Sequence, residues 1–227
     1  MFRIFPILNK KWHIQIRDES DAAVLHEILE AKEYGFAEQT IRNAKAAILD
    51  VGAHSGMFVL WCRAINAEVP IFAFEPEPNN FSILKTHIAE NHLKNVIAKQ
   101  VAVSDSVGET QLQISDDSMN HALLVKLDTD AKTIKVQTTS LERILKQNHL
   151  SSVDLIKLDV EGAEYQILES TPKETFARIR AIACETHKIE GHSPEELKRF
   201  LESIGYKVLL TKNPRVQELG YLWATKR

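Results

Sequence analysis

No stretch of this chain approaches the roughly 20 consecutive apolar residues that a membrane-spanning helix requires, so no segment is expected to cross a bilayer. The opening "MFRIFPIL" also lacks the charged start, long apolar middle and small-residue cleavage site of a secretory signal. Cysteine is scarce: Cys62 and Cys184 stand far apart, each inside an expected element. They read as two buried thiols in a reducing compartment rather than a disulfide framework, and a cytoplasmic protein is expected. Charge of one sign is also lacking. The net charge is −3, and the 28 basic residues are scattered, with no run beyond pairs such as Lys10-Lys11. That leaves no general electrostatic grip on nucleic acid. Repeats, low-complexity tracts and a convincing linker are absent too.

What is present is an ordinary globular composition, 44% hydrophobic and 26% charged in 227 residues, which fits one α/β domain spanning 1–227. Residues 1–45 read as a cap beside the main sheet. In it "WHIQI" alternates like a short edge strand, and "SDAAVLHEILEAKEYG" reads as a helix capped by Ser20 or Asp21 and ended by Gly35. From residue 47 strands and helices alternate. Buried-type strands are expected at 47–51, 70–74, 96–103, 153–158 and 179–185, with helices at 56–66, 78–92, 139–147, 161–169 and 194–204. This pattern predicts a Rossmann-like, mostly parallel seven-stranded sheet with helices on both faces. "YKVLLT" and "LGYLWATK" should close it as a C-terminal antiparallel hairpin. Residues 109–138 interrupt the rhythm as a hairpin or lid over the sheet's carboxyl edge, carrying His121 as a residue that could reach substrate. Trp12, Trp61 and Trp223 read as packing residues.

The loop Asp50-Val51-Gly52-Ala53-His54-Ser55-Gly56 joins a strand to a helix, the usual place for a nucleotide. It has neither the spacing nor the lysine of a phosphate loop. The middle glycine of a dinucleotide motif is replaced by His54, whose side chain would crowd a pyrophosphate. Glu75 ends the next strand, 23 positions after Gly52, where an acid can accept from both ribose hydroxyls. A ribose without a phosphate, together with a small carboxylate, describes S-adenosylmethionine. Its sulfonium suits the acids Asp50, Glu75, Asp159 and Glu161 at the strand ends.

Six segments then fall in register: "DVGAHSG", "FEPEPNNFSILKTHI", "VAVSDSVGETQL", "TTSLERIL", "VDLIKLDVEGAE" and "ACETH". Over about residues 20–190 the sequence resembles the FkbM family of S-adenosylmethionine-dependent methyltransferases, of class I fold. The resemblance implies that Gly52, His54, Gly56 and the backbone of Met57 and Phe58 hold the methionine end. Glu75 would take the ribose, and Val103, Ser104 and Asp105 would flank the adenine, with Pro76 beside it. Ser104 and Asp105 also read as turn residues before Gly108. The family most often has asparagine where this chain has His54.

Chemistry is expected where Asp159, Glu185 and His187 meet. Asp159 closes the fourth strand, with Lys157 expected on the opposite side of that strand, and Glu185 and His187 share one side of the fifth. An alkyl hydroxyl must lose its proton as it attacks the methyl carbon, so His187 is proposed as the base, oriented by Glu185 or Asp159. Glu161 and Glu164 also suit a helix start, and His192 a turn before a helix capped by Ser193. The expected activity is O-methylation of a hydroxyl on a sugar, glycan or natural product, with no resident metal assigned. Alternatives are metal-assisted methylation through the same three residues, a nicotinamide oxidoreductase, and a cofactor-binding protein without catalysis.

Overall fold

The structure is a computed structural model that describes residues 2–8, 10–114, 132–213 and 219–226. The chain opens with an antiparallel hairpin, β1 (Phe2–Ile7) and β2 (Lys10–Gln15), whose alternation sends Trp12 and Ile14 inward. Helix α1 (Glu19–Leu25) runs on into a π-helical turn, His26–Glu30, followed by a 3-10 turn, Gly35–Ala37, and helix α2 (Glu38–Asn43). The cap of α1 is Asp18, whose carboxylate accepts from the Asp21 N–H, and not Ser20 or Asp21 as expected. Asp21 is unavailable because Arg17 donates to both of its carboxylate oxygens and buries it inside the first turn. Helical bonding also ends at Glu30, so Gly35 opens a new turn instead of closing the first helix.

The alternating region follows as β3 (Ile48–Val51), α3 (Met57–Ile65), β4 (Ile71–Phe74), α4 (Pro78–Glu90) and β5 (Val96–Lys99). Three further strands are β6 (Ala102–Val103), β7 (Gly108–Gln113) and β8 (Thr133–Thr139). The remainder is α5 (Leu141–Gln147), β9 (Leu155–Leu158), α6 (Glu164–Ser170), α7 (Lys173–Phe176), β10 (Ala181–His187), α8 (Pro194–Ser203), β11 (Tyr206–Lys212) and β12 (Leu219–Lys226). Helix α8 starts as the sequence indicates, with Ser193 and Glu196 in a capping box and Pro194 in the first turn.

A seven-stranded sheet has the order β11-β12-β10-β9-β3-β4-β5. Its five inner and edge strands β10, β9, β3, β4 and β5 are parallel, and the hairpin β11–β12 joins antiparallel to β10. Chain order reverses between β3 and β9, which leaves a crevice at the carboxyl ends of these strands. Alternate strand residues feed two apolar layers. Leu49, Val51, Ile156 and Leu158 pack with Ile144, Ile167 and Leu201 of the helices on one face. Ile48, Ile71, Leu155 and Ala183 pack on the other, against α3 and the N-terminal elements. Cys62 and Cys184 are free thiols, one in each layer and both fully buried.

The strand expected at 96–103 is two strands. The Val101 N–H turns back to the Lys99 carbonyl, and Ala102–Val103 restart as β6, paired parallel to β8 in a separate sheet of order β6-β8-β7. The hairpin arms expected within 109–138 are β7 and β8; residues 115–131, with His121, lie outside the described residues. Trp12 and Trp61 are buried and Trp223 packs half-buried against the core, so all three serve packing. No helix among the described residues is long and apolar enough to cross a membrane.

Candidate active site

The cleft at the switch point is built from the loop after β3. Gly52 (φ 76°), His54 (φ 49°) and Gly56 (φ 90°) all take left-handed backbone, which turns the chain sharply into α3. Glycine is required at 52, because a Cβ there would lie 1.7 Å from the Asp159 carbonyl oxygen. The N–H groups of Gly52 and Ala53 both donate to the Phe74 carbonyl, and the Lys157 ammonium donates to the Gly52 carbonyl at 2.6 Å. No side chain caps α3 at Gly56. The first N–H groups of that helix, those of Met57 and Phe58 among them, therefore have no intrahelical acceptor. The side chains of Met57 and Phe58 are buried in the core.

Glu75 follows β4 and is buried at the cleft wall. Its two oxygens accept from the His54 N–H at 2.7 Å and the Glu77 N–H at 2.9 Å. A carboxylate can accept about four hydrogen bonds, so capacity remains for a diol. Burial pushes Glu75 up to about 7, against the pull of those two N–H groups. The His54 ring bonds Ser55 through Nδ1, while its Nε2 is buried with no hydrogen-bond partner. Burial lowers His54 to about 4, so the ring is neutral near pH 7. Pro76, Phe74, Ala102, Val103 and Leu112 complete an apolar wall. Ser104 and Asp105 do not line this cleft; they form a turn in which the Ser104 hydroxyl donates to the Asp105 carboxylate.

At the other end of the same cleft stand Asp159, Glu161, Glu185 and His187. Tight pairing of β9 with β10 brings them together, as the neighbouring-strand expectation required. Lys157 departs from its expectation: it lies on the same side of the strand as Asp159, 3.3 Å from that carboxylate, because residues two apart on a strand share a face. It also reaches Asp50, which is fully buried behind the loop and lies at 3.4 Å. Burial raises Asp50 to about 6 despite that ammonium. Burial also disfavours the charged form of Asp159, but Lys157, the His187 cation and a hydrogen bond from Glu185 together hold the carboxyl below its ordinary value. Tyr34, from the segment after α1, donates to Asp159 at 3.3 Å.

His187 is oriented differently from the expectation. Its Nδ1 bonds Glu164 and its Nε2 lies 3.2 Å from Glu161, rather than being held by Glu185 or Asp159. Burial works against charge on this ring, yet the two carboxylates push it up to about 12. The resting ring is therefore an imidazolium at neutral pH, a form that donates protons and cannot take one. Burial and the nearby Asp159 charge raise Glu185 to about 9, so it is protonated there. Sequence reasoning missed Tyr34, Lys157 as a site residue, and Glu164 as the partner of His187. Only Lys157 carried a local signal, its two-residue spacing from Asp159.

A parallel sheet closed by an antiparallel hairpin, with a glycine loop after its central strand and an acid after the next, defines a class I S-adenosylmethionine-dependent methyltransferase. The family profile described as Methyltransferase FkbM domain matches residues 50–208, and the chain belongs to that family. Among its relatives is the 31-O-demethyl-FK506 methyltransferase FkbM of Streptomyces tacrolimicus, 24% identical over 196 residues, covering 74% of this chain and 75% of the relative. The 2-O-methyltransferase NoeI of Sinorhizobium fredii is 25% identical, with 74% of each chain covered. The hexuronic acid methyltransferase AglP of Haloferax volcanii is 24% identical, covering 74% of this chain and 66% of the relative. Among solved structures, M. capricolum TrmK in complex with S-adenosylhomocysteine superposes with a TM-score of 0.52 at 12% identity, covering 85% of this chain and 68% of that one. The precorrin-6y C5,15-methyltransferase of Geobacter metallireducens gives 0.50 at 13%, covering 86% and 88%.

Proposed function

We propose that this methyltransferase acts on a hydroxyl group of a sugar, glycan or related natural product. The observation that carries the reading is one continuous cleft with Glu75, Pro76 and Val103 at one end and Asp159, Glu185 and His187 at the other. Supporting it, relatives are named for methylation of 31-O-demethyl-FK506, for 2-O-methylation and for action on a hexuronic acid.

The residues present suit the methyl donor. Glu75 keeps accepting capacity for a ribose diol, the unpartnered His54 Nε2 offers one polar contact, and the uncapped start of α3 offers N–H groups to a carboxylate. S-adenosylmethionine, when bound, supplies an electrophilic methyl group on a cationic sulfur. In this reading Gly52, His54, Gly56 and the backbone of Met57 and Phe58 take the amino-acid end, with Asp50 supporting the loop from behind through Lys157. Val103 and Pro76 take the base; Ser104 and Asp105 would bear on it only through the turn they form.

Asp159 is the ionised carboxylate of the acceptor end, so the hydroxyl proton goes to its Oδ atoms as the acceptor oxygen attacks. His187, held as a cation by Glu161 and Glu164 through both ring nitrogens, places positive charge beside that oxygen, and protonated Glu185 hydrogen-bonds the Asp159 carboxylate and orients it. Good alignment of the displacement is worth on the order of 7–11 kcal/mol, which makes the rigid hold on these groups the main contribution of the chain.

The test is transfer of tritium from labelled donor to a panel of hydroxylated acceptors, followed by mass analysis of the product. Asp159→Asn should lower turnover by roughly 10²–10⁴-fold with S-adenosylhomocysteine affinity near wild type. An unaltered rate means that the proton leaves by another route. A second reading is favoured by one observation: single ligand atoms of Asp159, Glu161 and His187 lie within 4.8 Å of one another. A divalent ion there would make transfer sensitive to a chelator and restorable by Mn²⁺, since imidazole favours such ions over Mg²⁺.

A further inference from the structure

We propose that Lys157 is the positioning residue of the cofactor loop, an ammonium that fixes the glycine turn and the acceptor-end acid to one reference point. The inference rests on the reading of the cleft as a methyl-donor site. An ammonium has three N–H donors, and three acceptors surround this one, each from a different part of the site. They are the Gly52 carbonyl at 2.6 Å, Asp159 at 3.3 Å and Asp50 at 3.4 Å. Asp50 and Lys157 are register partners on β3 and β9, so the pair crosses directly between adjacent strands. Their side chains are 0% and 3% exposed.

The loop is tied to β9 a second time, by shape. Gly52 packs so closely on the Asp159 carbonyl that any Cβ would overlap it. One contact is steric and the other is a hydrogen bond, and they act on the same residue. Packing forbids the loop to approach further; Lys157 holds the Gly52 carbonyl from moving away, beside the backbone bond from the Asp159 N–H to the Val51 carbonyl. Among the described residues the Asp50 carboxylate makes no hydrogen bond, so Lys157 also supplies its counter-charge. Removing the ammonium would leave a part-buried carbonyl without this donor and two carboxylates without the cation between them. The groups proposed to meet the donor and the acceptor are then no longer referenced to each other, and small misplacements there are expensive in rate.

The experiment compares wild type with Lys157→Met, Lys157→Arg and the double variant Lys157→Met/Asp50→Asn. S-adenosylhomocysteine affinity is measured by calorimetry, fold by circular dichroism, and the Gly52 carbonyl by its ¹³C resonance. Lys157→Met should weaken affinity about tenfold or more, equal to about 1.4 kcal/mol, and move the Gly52 resonance. Lys157→Arg, which keeps a charged donor, should recover most of the affinity. The double variant, which also removes the unpaired carboxylate, should regain thermal stability but not affinity. Affinity within twofold of wild type in folded Lys157→Met, or full recovery in the double variant, overturns the proposal. If neither methionine variant folds, wild type carries the test: exchange into deuterium should shift the Gly52 carbonyl resonance beyond the two-bond shift that the Ala53 amide deuteron alone gives, and a shift no larger than that of other backbone carbonyls overturns it. Wild type that binds no S-adenosylhomocysteine removes the donor-site reading instead, and the isotope shift then still reports on the Lys157 contact.

Discussion

At the residue scale, the donor site turns on carboxyl groups whose ionisation is set by burial. Glu75 is the clearest, at about 7 in the ligand-free protein. A diol donates hydrogen bonds, so binding selects the ionised carboxylate, and S-adenosylhomocysteine affinity should rise by about tenfold between pH 6 and pH 8. Calorimetry across that range checks it, and Glu75→Gln should bind weakly with no such slope. Ligand-free stability runs the other way. The native carboxyl holds its proton more tightly than the unfolded one, so this group's contribution falls as pH rises from 4.5 to about 7. The position of Glu75 was legible in the sequence because a strand end and a fixed offset from a glycine turn are local properties. The protonation of His187 was not. It depends on Glu161 and Glu164, which reach the ring only after β10 pairs with β9 and α6 begins at the left-handed Glu161-Gly162 turn.

At the element scale, the segment after β2 matters more than its length suggests, because Val24, Glu27, Ile28 and Tyr34 from it line the cleft. Asp18 caps its helix, and Arg17 ties that first turn to Asn80 at the start of α4 through a 2.7 Å hydrogen bond. Asp18→Ala should therefore cost about 1 kcal/mol in urea unfolding, and Asp18→Asn, which keeps an accepting oxygen, much less. Equal effects would mean that the hydrogen bond to the Asp21 N–H is not what stabilises this turn. The sequence suggested a serine or aspartate cap but misplaced it, since which acid caps and which is captured by Arg17 is a contest between neighbours. The strand at 96–103 shows the same limit. Its apolar residues on either side of Lys99-Gln100 read as one strand, and the recruitment of β6 by β8, some 35 positions further on, divides it there. The repeating strands and helices between 47 and 204 were readable because each buries a periodic apolar face.

At the scale of the whole molecule, the sheet order puts the cleft across the switch point and joins both apolar layers to it through β3 and β9. A ligand that binds only the folded form should then stabilise the entire chain. S-adenosylhomocysteine at 100 times its dissociation constant should add about 2.7 kcal/mol, seen as a raised melting temperature, whereas NAD at equal concentration should leave the melt unchanged. A matching rise with NAD would reopen the oxidoreductase alternative. The two thiols carry a separate consequence. Cys62 on α3 and Cys184 on β10 have no exposed surface, and burial raises both well above ordinary thiols. Thiol-alkylating reagents thus meet no accessible cysteine on the native protein. Each thiol becomes a silent timer of one face of the sheet, labelled only at the moment when the layer covering it lifts away.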